Sequence, residues 1–318
     1  MVGERELQIK LQLHQIVSKL DEENKRIYED YLYMRGHLDR LIHMVDTVLP
    51  YCRPDTHLVD LGSNVVFPYL IKSLAKVQAC DGLSRSYHHG EIVVIREDYS
   101  IAYEPLNDFP YDISRIESTS IAIPMVHCDL SKDRLPYRNG TIDLITCFET
   151  IEHLRSDPMN LLAEANRIIR DDGIFVLTTP NANSLSNMKR MLRYESPNFY
   201  PPFIRDLDMI EHVKEYSIQE MRLMFESAGF EIIDLDTFDH VNSQTFNHYE
   251  AYQIGYARAD EAQREQLRRQ DEVVGRHMAN LFAKFDGLDR YRGDYMQVTA
   301  RKASGVKDRY CFPLYEQE

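Results

Sequence analysis

The residues best equipped for chemistry in this sequence stand together at 149–153. Residues 141–154 read TIDLITCFETIEHL. Ile142, Leu144 and Ile145, with Thr146 and Cys147, form a short apolar, β-branched run, predicted to be a buried parallel strand. From Phe148 the chain turns away into a predicted helix. That sets Glu149, Glu152 and His153 at i, i+3 and i+4, on one helical face. Two carboxylates and an imidazole are poor material for a core and good material for a site. An open α/β sheet keeps its ligand crevice at the carboxyl ends of its strands, which is where this trio is expected. His212, in EHVKEYS, is a second imidazole of interest.

Composition limits what such a site serves. The chain has 318 residues, 43% of them hydrophobic, enough for one large domain with additions or two small ones. Its net charge of −14 argues against a dedicated nucleic-acid surface or an anionic-membrane binder. Cys52, Cys80, Cys128, Cys147 and Cys311 are scattered without a CxxC pair, which disfavours a zinc knuckle or a disulfide framework. The first residues, MVGERELQIKLQL, lack a signal-peptide core, and no apolar run approaches a membrane span. The expectation is a soluble, cytoplasmic protein.

The site needs a frame. Residues 4–49 are predicted helical, with apolar positions at Leu7, Leu11, Ile16 and Leu20 and again at Leu38, Leu41, Ile42, Val45 and Val48. Gly36 divides two helices, and Pro50 and Pro54 end the segment. It is expected as a helical layer on the next domain. A sharper alternative makes it a cap, with Tyr28, Tyr31 or Arg35 facing a ligand. HLVDLG (57–62) is a predicted buried strand, followed by Ser63-Asn64 and a helix over about 65–76, with Pro68 in its first turn. Strand, short polar turn and helix open a nucleotide-binding α/β fold. Gly62 lets the backbone turn tightly.

VQACDGL (77–83) is a weaker second strand, and Asp81 lies 21 residues after Asp60. Dinucleotide folds place an acid for the ribose hydroxyls at such a position; the alternative is a turn Asp before Gly82. Residues 84–120 show two strand-like runs and no helix, and are expected to form an insertion with its own hairpin near the substrate mouth. IAIPMVHCDL (121–130) is the third strand, with Asp129 at its end, and TIDLITCF is the fourth. Residues 158–170 are an amphipathic helix stopped by DDG, and IFVLTTPN is the fifth strand. Ser217 and Glu220 form a capping box for a helix that Gly229 ends, before the sixth strand, FEIIDLDTF. Residues 251–285 are helical and heavily charged, a solvated face. YMQVTARK is the last strand.

The order of these motifs resembles the class I S-adenosylmethionine-dependent methyltransferases, in the branch of the ubiquinone-biosynthesis methyltransferases and generic small-molecule and glycan enzymes. VDLGSN is similar to their first glycine motif and HCDL to their adenine-edge acid motif. LPYRNGTIDLITCFETIEHL resembles the segment around strand four, ANRIIRDDGIFVLTTPN the helix into strand five, and HVKEYSIQEMRLMFESAGFEI the late helix and strand six. The resemblance covers about 55–238, plus YMQVTARK. It implies an α/β, Rossmann-like, seven-stranded sheet with helices on both faces, a helical N-terminal addition and a helical insertion before the last strand. The organisation is then an N-terminal helical segment at 1–54, a methyltransferase domain at 55–303 with insertions at about 84–120 and 240–292, and a tail at 304–318. One departure stands out. The family pattern is close to DxGxGxG, whereas Ser63, Asn64, Val65 and Val66 follow Gly62 here. Asn64 tolerates a left-handed backbone better than most residues, so the loop is expected to survive.

Carried over residue by residue, the resemblance implies S-adenosyl-L-methionine as cofactor. Asp60, Gly62, Ser63 and Asn64 would lie against its methionine part, Asp81 on the ribose, Asp129 on the adenine amino group with Leu130 beside it, and Cys147, Phe148 and Glu149 below the sulfonium. The expected reaction is O-methylation of a sugar, a glycan or a specialised small metabolite. His153 is the expected general base, since an unperturbed imidazole titrates near pH ~6.5. Glu149 or Glu152 would orient it, and His212 is a second candidate base. The helical N-terminus, the insertion and residues 181–208 are expected to enclose the acceptor. Two alternatives stand beside this. Glu149, Glu152, His153 and His212 resemble the metal-binding set of the small-RNA terminal 2′-O-methyltransferases, which suits Mn²⁺ better than Mg²⁺; the acidic balance disfavours RNA. The eroded glycine loop favours instead a non-catalytic, methyltransferase-like interaction domain. No membrane partner is expected, and a homo-oligomer is compatible with the sequence.

Overall fold

The structure is a computed structural model; it describes residues 2–17, 37–85, 90–106, 119–192, 212–239, 260–282, 284 and 289–307. Its centre is one sheet of β1 (His57–Leu61), β2 (Ala79–Ser84), β3 (Glu91–Ile95), β4 (Ile101–Pro105), β5 (Ile121–His127), β6 (Ile142–Phe148), β7 (Ile169–Pro180), β8 (Phe230–Phe238) and β9 (Tyr295–Lys302). The spatial order is β4-β3-β5-β2-β1-β6-β7-β9-β8. β5, β2, β1, β6 and β7 run parallel, and β9 runs antiparallel between β7 and β8. Order reverses between β1 and β6, so the crevice of a doubly wound sheet lies at their carboxyl ends.

The seven strands expected from the sequence are β1, β2 and β5 to β9. The two others come from the insertion. Its hairpin, β3 and β4, pairs antiparallel with β5 and lengthens the sheet at its edge instead of covering the mouth. Ile92, Val94 and Ala122 bury one another there, which gives the hairpin an apolar reason to dock.

Helices cover both faces. Helices α1 (Val2–Val17), α2 (Leu38–Val48) and α3 (Val66–Ala75) precede β2. Helices α4 (Pro158–Ile168), α5 (Leu185–Leu192), α6 (Ile218–Ser227) and α7 (Glu261–Phe282) follow β6. Alternation along β1 divides the core. Val59 and Leu61 join side chains of α4 and α6, while Leu58 joins α1, α2 and α3. The N-terminal helices therefore pack on the sheet as a layer. In α1 the buried positions are Ile9 and Leu13, not Leu7 and Leu11, which are 58% and 53% exposed. Both stripes recur at helical spacing; docking against α2 and α3 selects one. Gln12 Nε2 donates to Ser73 Oγ at 2.7 Å, tying α1 to α3. Tyr28, Tyr31 and Arg35 lie outside the described residues.

Chain ends of the elements follow local chemistry. Asp157 accepts from Met159 N at 2.9 Å and starts α4 with Pro158 in the first turn. The helix stops at Ile168, earlier than expected, and β7 begins at the next residue. The predicted capping box is present: Ser217 accepts from Glu220 N, and Glu220 accepts from Ser217 N at 2.9 Å. Among the described residues no helix is long and apolar enough to cross a membrane.

Candidate active site at the carboxyl edge of the sheet

The turn after β1 is set by what lies above it. Gly62 adopts φ +82°, and a Cβ there would overlap the Thr150 side chain at Oγ1. Thr150 Oγ1 in turn lies 2.9 Å from Phe148 O and 3.3 Å from Leu61 O, closing the tips of β6 and β1 together. Glycine is needed at 62 by the protein's own packing as well as by its backbone conformation. Asn64 does not take the left-handed backbone that the motif allowed for. Its Oδ1 accepts from Val66 N at 3.0 Å and Phe67 N at 3.3 Å, so it caps α3. Asp60 is 4% exposed and accepts from Thr146 Oγ1 at 2.7 Å. Burial pushes its carboxyl up to about 7.

The end of β6 carries Glu149, Glu152 and His153, though not on one helical face. Glu149 precedes the turn with φ +47°, and only Ile151–His153 form a single 3₁₀ turn. The two glutamates are brought side by side by the neighbouring strand. Thr178 Oγ1 donates to Glu149 Oε1 at 2.9 Å, and Thr179 Oγ1 donates to Glu152 Oε2 at 2.8 Å. Glu149 also meets Arg40 of α2 at 3.1 Å. Burial raises the Glu149 carboxyl, and Arg40 and Thr178 oppose the rise. Glu152 is 1% exposed, and burial, with the Glu149 charge added, pushes it up to about 8.

His153 faces outward, with 26% of its side chain exposed, and its Nε2 lies 3.8 Å from Glu152 Oε1. That is an ion-pair distance, longer than a hydrogen bond. Glu149 is turned to Arg40 and Thr178, so the expected orienting contact from Glu149 to His153 is not made. His212 comes from far along the chain because Val213 N and Lys214 N both donate to Glu152 O, at 2.7 and 3.2 Å. Its ring then stands edge-on to His153, with centroids 4.7 Å apart. Glu215 Oε1 holds His212 Nδ1 at 3.1 Å, and Asn187 donates to the other Glu215 oxygen. Burial pulls His212 down, but Glu215, Glu152 and Glu149 outweigh it, and its net shift is upward.

The other residues expected to touch the cofactor divide. Ser63 N, with Gly62 N, donates to Leu83 O, at 3.0 and 2.9 Å. Asp129 sits just past the tip of β5, accepting from Ser131 N at 3.1 Å and facing Arg85 at 3.7 Å and Lys132 at 3.5 Å. Leu130 and Cys147 are core residues, and Phe148 packs edge-on against Phe67. Burial drives the Cys147 thiol far up, so it is no nucleophile. Asp81 corrects an expectation. It pairs with Val59 inside the sheet, and its Oδ2 is held by His57 Nε2 at 2.8 Å and Tyr137 OH at 3.1 Å. It stands inside β2, three residues before the strand's end at Ser84, and not at the end as expected.

Four residues at this edge were missed from sequence: Arg40, Thr150, Thr178 and Thr179. Two signals were there to find. An arginine stands within the apolar stripe of 38–48, and two threonines end the otherwise apolar IFVLTTP.

An open sheet with this strand order, one antiparallel strand inserted next to its last neighbour, and a polar cluster at the switch point define a nucleotide-type α/β protein of methyltransferase architecture. The chain belongs to the methyltransferase domain family, which matches residues 34–235, and with it to the class I S-adenosylmethionine-dependent methyltransferases. A Mycolicibacterium smegmatis protein named "Probable S-adenosylmethionine-dependent methyltransferase" is 28% identical over 127 residues, 39% of this chain and 42% of that one. The ubiquinone biosynthesis O-methyltransferase of Vibrio campbellii is 22% identical over 121 residues, 35% of this chain and 51% of that one. The chain thus spans about half the length of the curated relatives it matches. Among solved structures, a SAM dependent methyltransferase from Archaeoglobus fulgidus is 15% identical, covers 86% of this chain and 99% of its own, and gives a TM-score of 0.46.

Proposed function

We propose that this chain transfers a methyl group from S-adenosylmethionine to an oxygen of a sugar, glycan or other small metabolite, with His153 as general base. The observation that carries this is the placement of His153. It is open to solvent at the switch point, while Glu152 behind it is buried. The donor set offers a sulfonium carboxyl oxygens and not full negative charges: burial raises both Glu149 and Glu152, and Arg40 already faces Glu149. When bound, S-adenosylmethionine supplies an electrophilic methyl on a sulfonium. Gly62 keeps the β1 turn tight, Asp129 offers a carboxylate at the tip of β5, and His153 takes the proton of the acceptor hydroxyl. The name of the Vibrio relative supports an oxygen acceptor.

The test is calorimetric titration of the whole chain with S-adenosylmethionine and S-adenosylhomocysteine, followed by an acceptor screen. His153→Ala is expected to bind as wild type does and to lose about 10²–10⁴-fold in turnover. Undiminished turnover removes His153 from the role. A folded chain that binds neither compound is instead an interaction domain.

A second reading has an observation of its own. One ligand atom each of Glu152, His153 and His212 lies within 4.8 Å of the others, and Glu152 Oε1 is buried without a hydrogen-bond partner. Glu149 is engaged by Arg40, so the set is three residues, not four. Two imidazoles and one carboxylate suit a first-row transition ion such as Mn²⁺, which would acidify an acceptor hydroxyl. Titrating the chelator-treated chain with Mn²⁺ tests this: heat of binding that Glu152→Gln abolishes supports it, and no binding sinks it.

A further inference from the structure

The register of the sheet fixes which residue stands at the tip of β2. Leu61 pairs with Leu83, and Leu83 with Val126, so these residues share one level across β1, β2 and β5. Gly62 N and Ser63 N both donate to Leu83 O, which lays the β1 turn directly over the end of β2. The next residue outward is Ser84, paired with His127 and half-buried. Asp81 lies three residues further back, about 10 Å along an extended strand, beyond the reach of an aspartate side chain. It also points elsewhere, at His57 and Tyr137, and is 6% exposed.

Dinucleotide-type sheets hold a ribose with a carboxylate at the end of the second strand, because one carboxylate accepts from both vicinal hydroxyls. Serine offers a single oxygen without charge. Beyond it stands Arg85, whose guanidinium faces Asp129 at 3.7 Å. We propose that Ser84 is the ribose-facing residue of this chain, that Asp81 is structural, and that the adenosyl group is bound here without the usual carboxylate. This rests on the S-adenosylmethionine reading. It makes adenosyl affinity intrinsically weak and open to repair by one substitution.

The experiment is calorimetric titration of the full chain with S-adenosylhomocysteine and with its 2′-deoxy analogue. Ser84→Asp is expected to tighten S-adenosylhomocysteine binding about tenfold or more, through charge-assisted hydrogen bonds to the ribose. Most of that gain should vanish with the 2′-deoxy analogue. Asp81→Asn is expected to leave affinity within about twofold, the level at which a non-contacting site acts, while lowering the melting temperature. If Asp81→Asn does not fold, His57→Ala, which removes one of the two partners of Asp81 Oδ2 and keeps its carboxylate, should likewise leave affinity unchanged. Loss of binding in a folded Asp81→Asn variant, with no gain from Ser84→Asp, overturns the proposal and leaves the cofactor reading intact. Absence of binding in wild type and Ser84→Asp alike overturns both.

Discussion

Arg40 and Glu149 form a buried ion pair, Nη1 to Oε2 at 3.1 Å, across 109 positions of sequence. Their side chains are 5% and 10% exposed, and the guanidinium also lies over the Tyr295 ring at 5.3 Å. The N-terminal helical layer therefore supplies the counter-charge for a carboxylate at the carboxyl edge of the sheet. Its role is electrostatic as well as a matter of packing.

Removing one member of that pair should be costly. Arg40→Met leaves Glu149 buried without its cation, and a loss of about 3–5 kcal/mol in unfolding free energy is expected. Arg40→Met with Glu149→Gln should recover much of it, because no charge is then stranded. Urea unfolding of the two single variants and the double variant measures the coupling; additive losses would show that the pair does not act as a unit.

Stability should fall as pH rises through neutrality. Glu152 is held near 8 and Asp60 near 7 in the folded chain. Unfolded carboxyls titrate near ~4. Between those limits the folded state binds more protons than the unfolded one, so the stability contributed by these groups is fully present below pH ~4 and is lost as pH climbs to about 8. Thermal melts should give a higher midpoint at pH 5 than at pH 8.5. Glu152→Gln and Asp60→Asn should each flatten the curve. A wild-type midpoint that rises over this range would contradict the assignment.

Gly62 should not accept a side chain. Gly62→Ala combines φ +82° with a Cβ that overlaps Thr150 Oγ1, and about 2 kcal/mol or more of destabilisation is expected. Thr150→Gly should relieve the clash and leave only the backbone cost. If Gly62→Ala melts with wild type, the turn has another conformation.

The His153–His212 pair should show itself by resonance before any activity is measured. Glu215→Gln leaves an oxygen that can still accept from His212 Nδ1 but removes its charge, and with it the largest carboxylate influence raising that imidazole. The His212 pKa should then fall, and proton-detected titration of the imidazoles reads the shift. An unmoved His212 would show that Glu152 and Glu149 alone hold it.

Much of the frame was legible in sequence. Periodicity of two, glycine stops and the Ser217–Glu220 cap marked the strands and late helix, because those signals act within a few residues. β9 spans the predicted YMQVTARK. The stripe of α1 was misread because Leu7/Leu11 and Ile9/Leu13 are equally periodic, and only the surface beneath chooses.

The sequence by itself determined the class of sheet, the cluster at 149–153 and the poverty of glycine after Gly62. Each is written in residue type and near spacing. Only the tertiary structure decided what those residues touch. Thr178 and Thr179 gather the two glutamates, Arg40 reaches Glu149 from an N-terminal helix, and His212 is carried to His153 by hydrogen bonds to Glu152 O. The second-strand acid was misplaced for the same reason. Asp81 lies at a plausible distance from Asp60 in sequence, but strand register, a property of pairing between segments far apart in the chain, sets it inside the sheet and brings Ser84 to the tip.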